Sequence, residues 1–358
     1  TVNGSDKIKI NAGTLEYEGK NQITISDISI TSSGTIKSIA DLLHYPKAAI
    51  IINKAQYVDD GGMFPTVTTY GTVTMPVGKL KGLSVASGTL TLLDDKNSTL
   101  EVANLDLKGS LSLQVLTNNP TFGSVSINAA DGDGSGDGDN SGDGSGSGNT
   151  SGSLSIENEI TVTGNWSNEV GEAGFTHNNK IVNFTGSGAT ISGDNYFASL
   201  YVETSGNCEL IINGTINITG PDGALKLSGG SKDSLLVIKT GDGNDGLINL
   251  TNVQTEGTSS HRKYLKIINV TTNKECFVVN STSDNGFPNF WKLSGIPEIA
   301  KYFWKNDSVD NSWQTLSNWY VDVEGVFLEI TDVSFLPNDK DSVIIQKQSE
   351  PTSTNYPV

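Results

Sequence analysis

Apolar and polar residues alternate in short runs throughout this chain, and this period of two restricts the fold more than any other feature of the sequence. Residues 23–25, 90–92 and 111–113 each place two apolar side chains around a Thr or a Ser. Such alternation sends successive side chains to opposite faces of a β-strand. Helical periodicity is nearly absent, apart from residues 38–43, which suit a short helical turn before Pro46. The pattern therefore predicts an all-β fold.

The spacing of the strands narrows the architecture. Apolar strand centres in the second half recur often about nine or ten residues apart, as they do in sandwiches, barrels and solenoids. The connections vary in length, which a solenoid tolerates because insertions leave its coils at the corners. Thr, Ser and Asn fill the predicted outward positions, where stacked strands form hydroxyl and amide ladders. We predict a right-handed parallel β-helix, or β-solenoid, with a small C-terminal β module; the alternative is a string of β-sandwich domains.

Composition divides the chain into four predicted regions. Residues 1–125 form an N-terminal β-rich or solenoid region, and residues 153–297 form a β-solenoid. Residues 126–152 between them are a flexible loop or linker rich in Gly, Asp and Ser, because this segment has almost nothing apolar to bury. Residues 298–358 form a Trp-rich β module or cap.

The linker also carries part of a calcium-binding signature. Asp131, Asp133, Asp137 and Asp139 occupy alternating positions like those that open an EF-hand loop. Position 12 of each such loop is Gly, so the bidentate Glu is missing, and no flanking helix is predicted. We therefore expect a flexible linker and no cofactor, with weak Ca²⁺ binding as the alternative.

The net charge excludes several classes of partner. The chain has 40 Asp and Glu against 23 Lys and Arg, a formal charge of −17. Nucleic-acid binding needs a cationic surface, and an anionic membrane repels an acidic chain. No apolar run of about 18 residues is present to cross a bilayer. The expected partners are extracellular proteins or glycans, with self-association through open sheet edges as a further option.

Four of the five tryptophans lie close together near the C-terminus. Trp304, Trp313 and Trp319 are candidate ligand-binding residues, because an exposed indole can stack on a sugar ring. The alternative is that these rings form the core of the C-terminal module, where each would bury a large apolar area.

Two segments resemble repeats of large bacterial surface proteins. In residues 302–345, a Trp and a polar turn precede a W-x(4)-NW element and a P-x-x-x-D-x-V-x-I element. Residues 164–202 are similar to units that read G-N-W, V-x-F-x-G, I-x-G and F-x-x-L-x-V in order. The resemblance implies a secreted or cell-surface, adhesin-like, β-helical protein of bacterial origin, in which Trp166 is structural. Both ends of the chain suit a piece of a longer protein, or one that has lost a signal peptide.

Signatures of an enzyme are missing from the sequence. The three histidines have no metal-ligand spacing, and neither a G-x-S-x-G element nor a P-loop occurs. A polysaccharide-degrading β-helix would use paired carboxylates, or a Lys or Arg base. The candidates for such a site are Asp233, Asp242, Asp245, Glu256, Lys239, Arg262 and Lys263. The plainer interpretation of residues 261–263 is a solvated turn.

These observations predict an extracellular structural or adhesive surface protein, which presents a rigid β-solenoid to host or matrix ligands without catalysis. The alternatives are a carbohydrate-binding or polysaccharide-degrading β-helix protein and a self-assembling filament subunit. Cys208 and Cys276 could pair, but two separate buried thiols are the plainer interpretation.

Overall fold

The fold was taken from a computed structural model. It describes residues 8–17, 21–38, 49–59, 64–94, 96–129, 151–221, 224–231, 233–241, 246–251, 262–283, 288, 290–293, 301–304, 312–323, 326–329 and 343–344. Within these ranges the regular elements are strands, apart from two short 3₁₀ turns at Gly171–Gly174 and Leu316–Asn318. The predicted all-β class is confirmed. In the same ranges, no helix has the length and apolar character needed to cross a bilayer.

The strands are short and follow one another closely. The first half of the chain contains β1 (Ile8–Tyr17), β2 (Gln22–Ile25), β3 (Ile28–Ser38), β4 (Ala49–Ile52), β5 (Ala55–Tyr57), β6 (Thr66–Tyr70), β7 (Thr72–Pro76), β8 (Lys79–Val85), β9 (Thr89–Leu93), β10 (Glu101–Leu107), β11 (Ser110–Leu113), β12 (Thr121–Ile127), β13 (Ser153–Ser155), β14 (Ile160–Val162), β15 (Trp166–Asn168) and β16 (Phe175–Thr176). The second half contains β17 (Ile181–Phe184), β18 (Gly188–Phe197), β19 (Ser199–Glu203), β20 (Cys208–Ile218), β21 (Leu225–Ser228), β22 (Leu236–Thr240), β23 (Gly246–Leu250), β24 (Arg262–Lys263), β25 (Leu265–Ile268), β26 (Val270–Thr272), β27 (Cys276–Val278), β28 (Trp291–Leu293), β29 (Lys301–Trp304), β30 (Trp319–Val323), β31 (Val326–Glu329) and β32 (Val343–Ile344).

Two parallel sheets contain most of these strands. The long sheet has 19 strands, namely β1, β3, β5, β6, β8, β10, β12, β14, β15 and β17–β26. The short sheet has seven strands, namely β2, β4, β7, β9, β11, β13 and β16. From β7 to β13 the chain alternates between the two sheets, and each strand pairs in parallel with the one two places further on. Parallel sheets with many strands are therefore the basis of the fold.

A single hydrophobic core lies against the inner faces of both sheets. In the long sheet, one inward column runs through Val67, Leu83, Leu105, Val125, Trp166, Ile191 and Ile212, which face one another across successive strands. In the short sheet, the matching column runs through Ile50, Val73, Leu90, Leu111, Leu154 and Phe175. All of these side chains are buried and belong to one cluster that extends from Ile25 to Trp291. Burial of each large apolar side chain contributes about 1.5–3 kcal/mol, so stability is spread along the whole sheet.

An aromatic group joins the two sheets inside this core. Trp166 of β15 meets Phe175 of β16 and Phe197 of β18 edge to face, with ring centroids 5.0 and 5.4 Å away. The Trp166 indole Nε1–H donates a 2.8 Å hydrogen bond to Asn195 Oδ1, so its one polar group is satisfied. Trp166 is 1% exposed, and its predicted structural role is confirmed.

The C-terminal strands form a separate small sheet with mixed directions. Its order is β31-β30-β29-β32, where β29 and β31 are antiparallel to β30, and β32 is parallel to β29. Trp291 of β28 does not belong to it, since this ring is part of the main core. Cys208 and Cys276 are both buried and unpaired, which confirms the interpretation as separate thiols.

Candidate functional site

A groove of about 410 Å³ lies on the outer face of the long sheet, across β8, β10 and β12. Its size falls within the range of sites that hold small ligands. We call it the outer groove, and define it by Phe64, Lys79, Lys81, Glu101, Ala103, Thr121, Gly123 and Thr163.

The outer groove arises where neighbouring strands break the alternation of inward and outward residues. In β10, the consecutive residues Ala103 and Asn104 both face outward between the buried Val102 and Leu105. In β12, Gly123 and Ser124 both face outward between the buried Phe122 and Val125. Because two successive residues lie on one side, both strands bend at this level.

Gly123 is required where these bends stack. A Cβ atom added at this residue would collide with the backbone carbonyl oxygen of Ala103. The small residues at positions 103 and 123 leave a depression between larger neighbours, and this depression is the floor of the outer groove.

Charged and aromatic groups line one side of the outer groove. Glu101 pairs in register with both Lys79 and Thr121, which places the three side chains in one outward column. Lys79 Nζ is 2.8 Å from Glu101 Oε2 and 4.9 Å from the centroid of the Phe64 ring. Both partners of this ion pair are about half exposed, and such pairs contribute about 0–1 kcal/mol to stability. The fold therefore depends little on these charges.

Lys81 lies on the same strand as Lys79 and is exposed. Among the described side chains, no carboxylate lies within ion-pair distance of its ammonium group. Thr121 and Thr163 line the groove as well. The Thr163 hydroxyl donates a 3.4 Å hydrogen bond to the Phe122 carbonyl oxygen and can still accept one from a ligand. The outer groove thus combines ammonium donors, one carboxylate, hydroxyls and an aromatic ring around a small-residue floor.

The three tryptophans predicted to bind ligand lie together in the C-terminal sheet. Trp304 and Trp319 are buried, and Trp313 is half buried. Trp319 packs edge to face on both of the others, with centroids 4.9 and 4.6 Å apart. Its indole N–H donates a 3.0 Å hydrogen bond to the Trp313 carbonyl oxygen. This arrangement matches the alternative interpretation, a module core, and a ligand-binding role for these rings stays a prediction.

The predicted calcium ligands Asp131, Asp133, Asp137 and Asp139 lie outside the described residues. Within the described ranges, no group of three or more His, Cys, Asp or Glu side chains is arranged to hold a metal ion. Weak Ca²⁺ binding by the linker stays a prediction.

The structure corrects the interpretation of residues 261–263 as a solvated turn. Arg262 is 1% exposed and belongs to strand β24. Its guanidinium donates hydrogen bonds to the carbonyl oxygens of Phe277 and Leu225, at 2.8 and 3.2 Å. The backbone carbonyls of two other strands, β21 and β27, therefore solvate this charge inside the protein, and Arg262 has a structural role.

The other residues considered for an enzyme are scattered or outside the described part of the chain. Lys239 forms an ion pair with Glu209 at 2.9 Å, and Lys263 lies over the Tyr264 ring at 5.8 Å. Asp233 is exposed. Asp242, Asp245 and Glu256 lie outside the described residues.

The outer groove was not predicted from the sequence, although the sequence contains a signal for it. Three strands of equal length, at Lys79–Val85, Glu101–Leu107 and Thr121–Ile127, read KLKGLSV, EVANLDL and TFGSVSI. Each strand has apolar residues at its second, fifth and seventh positions. Two residues, instead of one, therefore separate the apolar residues at the second and fifth positions. Aligning these strands would have placed positions 81, 103 and 123 in one column.

The fold defines the class of this protein, an all-β protein built on extended parallel sheets. Comparison of the chain with protein-family models, curated proteins and solved structures found no match.

Proposed function

We propose that this chain is an extracellular, non-catalytic adhesive protein, in which a right-handed parallel β-solenoid with a small C-terminal β module presents the outer groove to an acidic glycan. The observation that carries this proposal is the outer groove, where Lys81 has no carboxylate partner among the described residues and lies beside hydroxyls and an aromatic ring.

The strand order supports a solenoid. Up to β16 the chain passes repeatedly between the long sheet and the short sheet, and from β17 to β26 the described strands all belong to the long sheet. In both parts the strands pair in parallel with later strands, at a spacing of about 4.8 Å. Crossovers between parallel strands of one sheet are right-handed in nearly all proteins, which favours the right-handed form. The core continues from one passage to the next, as the stacked repeats of a solenoid require.

The chemistry of the outer groove supports a glycan that carries carboxylates, although the whole chain has a formal charge of −17. The described lining has two ammonium groups, Lys79 and Lys81, against the one carboxylate of Glu101, so the groove has a local excess of positive charge. Lys79 is neutralised by Glu101, whereas Lys81 has no carboxylate partner among the described residues. A ligand carboxylate at Lys81 would form a charge-assisted hydrogen bond, while sugar hydroxyls would bond to Thr121 and Thr163. The apolar face of a sugar ring would lie on Phe64.

The composition of the outer groove favours binding over hydrolysis. Glycoside hydrolysis generally uses two carboxyl groups on either side of the scissile bond. Among the described residues that line the groove, Glu101 is the single carboxylate. The export and surface location implied by the resemblance would bring the protein to such glycans.

A glycan array followed by titration of the full chain tests this proposal. We expect binding to uronate-containing glycans, and loss of that binding in Lys81→Ala and Phe64→Ala variants. The long sheet offers a matched control, since Lys226 pairs with Glu203 at 2.8 Å and lies 5.5 Å from the Tyr201 ring. Lys226→Ala removes an ammonium group beside an aromatic ring outside the groove, although this one is paired with a carboxylate, and it should leave binding unchanged.

Three results would overturn the proposal. One is that no glycan binds, and another is that the groove variants and Lys226→Ala lose affinity equally. Cleavage of a bound polysaccharide would overturn its non-catalytic part.

A further inference from the structure

The short sheet has an unusual outer face, because none of its residues is charged. Its seven strands read QITI, AIII, TVTMP, TLTLL, SLSL, SLS and FT in chain order. The whole chain contains 63 charged residues, the sum of 40 acidic and 23 basic ones. A described sheet without any of them therefore has a surface chemistry distinct from the rest of the protein.

Hydroxyl groups form two columns on this face. One column consists of Thr72, Thr89, Ser110 and Ser153, and the other of Thr74, Thr91, Ser112 and Ser155, with each residue paired in register with the next. We call these eight residues the hydroxyl array. Thr89 and Ser112 are exposed, and the other six are half buried. In each strand an inward apolar residue separates the two columns, as in Thr-Val-Thr and Thr-Leu-Thr.

The backbone fixes the spacing of the hydroxyl array in both directions. Neighbouring strands lie about 4.8 Å apart, and residues two apart along a strand repeat at about 6.6 Å. The inner ends of this lattice are held by the buried Leu90, Leu111 and Leu154. At one edge of the array, Ser153 Oγ donates a 2.8 Å hydrogen bond to Ser110 Oγ, so these two hydroxyls lie closer together than their strands. The other hydroxyls form a two-dimensional lattice on a rigid support, with backbone periods comparable to the oxygen repeats on the faces of an ice crystal.

We propose that the hydroxyl array is an ice-binding surface. Each hydroxyl can both donate and accept hydrogen bonds, so it can take part in an ordered layer of water. Thr72, Thr74, Thr89 and Thr91 each carry a methyl group on the same carbon as the hydroxyl, and this methyl group limits the directions in which bound water can bond. Water ordered at the lattice spacing would then join the surface to the crystal.

Other occupants fit this face less well. An ionic partner would find no charge on the described strands, and a polysaccharide would find no outward aromatic ring on which to stack. Protein interfaces are enriched in aromatic residues, Met and Arg at their centres, and the hydroxyl array has none of them. A regular, uncharged lattice of small hydroxyl residues favours a regular, uncharged solid.

Partition of the full chain into slowly growing ice, together with thermal hysteresis, tests this proposal. We expect the wild-type chain to enter the ice and to lower the freezing point below the melting point. The Thr91→Lys and Ser112→Lys variants should lose both properties, because a long charged side chain holds the lattice away from the crystal. Ser112 is exposed, so lysine at this position needs no rearrangement of the fold.

A matched control lies on the other sheet. Thr68 of β6 is half buried and faces outward from the long sheet, so Thr68→Lys should retain full ice partition. Thermal unfolding of every variant, followed by circular dichroism, separates loss of the surface from loss of the fold.

The proposal fails if the folded wild-type chain is excluded from ice, or if Thr68→Lys and Thr91→Lys behave alike. It also fails if Thr91→Lys instead abolishes binding to crystalline cellulose or dissociates a dimer in sedimentation, since either result assigns the face to another occupant. The outer groove lies on the long sheet, so glycan binding and ice binding can fail independently.

Discussion

The two parallel sheets follow the same rule on their inner faces and different rules on their outer faces. Inward columns of Val, Leu and Ile fill one shared core. Outward positions of the long sheet hold ion pairs such as Lys226–Glu203 and Lys239–Glu209, and bends that form the outer groove. The described short sheet has uncharged hydroxyl columns in unbroken register. The comparison shows that the alternation of side chains separates two sets of positions. The inward positions stabilise the fold, whereas the outward positions are free to vary.

Replacement of Trp166 by Ala tests how far the two sheets depend on each other, and we expect it to have the largest effect. The ring contacts Phe175 of the short sheet and Phe197 of the long sheet, and its removal leaves a cavity and takes the hydrogen-bond donor from Asn195 Oδ1. We expect the free energy of unfolding to fall by about 3–5 kcal/mol in urea titrations.

Phe290→Ala provides the control for that experiment. This ring is 50% exposed, so its truncation should change stability by well under half as much. Equal losses in the two variants would contradict a core that couples the sheets through Trp166.

Replacement of Gly123 by Ala tests whether this glycine sets the bends of the long sheet, which the regular strands of the short sheet lack. We expect its effect on stability to be intermediate among these predictions. The new Cβ would overlap the Ala103 carbonyl oxygen, so the stacked bends must separate. We expect a loss of about 1–3 kcal/mol in stability, measured by thermal unfolding, together with weaker glycan binding. In the control Gly206→Ala, the added methyl meets no atom within 4 Å and should have little effect. A fully stable Gly123→Ala variant would show that the bend is not set by this glycine.

Acidification tests the seam between the sheets, and we expect this to be the smallest effect. His177 follows β16 of the short sheet, and its Nε2 lies 3.1 Å from Thr219 Oγ1, after β20 of the long sheet. Its Nδ1 accepts a 3.1 Å hydrogen bond from the Asn179 N–H, which requires a neutral ring. Burial lowers the pKa of His177, so the folded state binds fewer protons than the unfolded state just below the ordinary value of about 6.5. Stability from this group is therefore present above pH about 6.5, and is lost as the pH falls from there towards the lowered pKa.

The measurement is the difference in melting temperature between the wild-type chain and His177→Gln, taken above and below that pH. Glutamine keeps a hydrogen-bonding side chain but does not titrate. The wild-type chain should lose more stability on acidification than the variant. If the melting temperatures of both proteins fall equally with pH, His177 does not contribute this pH dependence.

Much of the fold was predictable because it depends on local pattern. The alternation around Leu90 and Leu111 identifies strands and tells which residues face the core. The strand direction was suggested by uneven connections, and the parallel ladders bear that out. The Trp304–Trp319 contact follows from crowding of aromatic residues in a short segment.

The rest depends on contacts between residues distant in the chain. Arg262 stands among polar neighbours in the sequence, but its burial depends on carbonyl groups of Leu225 and Phe277 in other strands. The outer groove likewise requires the register that puts Lys79 beside Glu101. The sequence of a single strand does not determine that register. Pattern therefore predicts the elements, whereas the site appears only when they are stacked.

The unbroken register of the short sheet also bears on how such a protein can change over generations. Because each strand meets only its two neighbours, a tandem duplication of one passage through both sheets would add a row to every column at once. The lattice of hydroxyls would widen by a row while the interior stayed matched. A surface of this kind can therefore become larger by duplication of existing strands, because the added strands repeat contacts that the fold already makes.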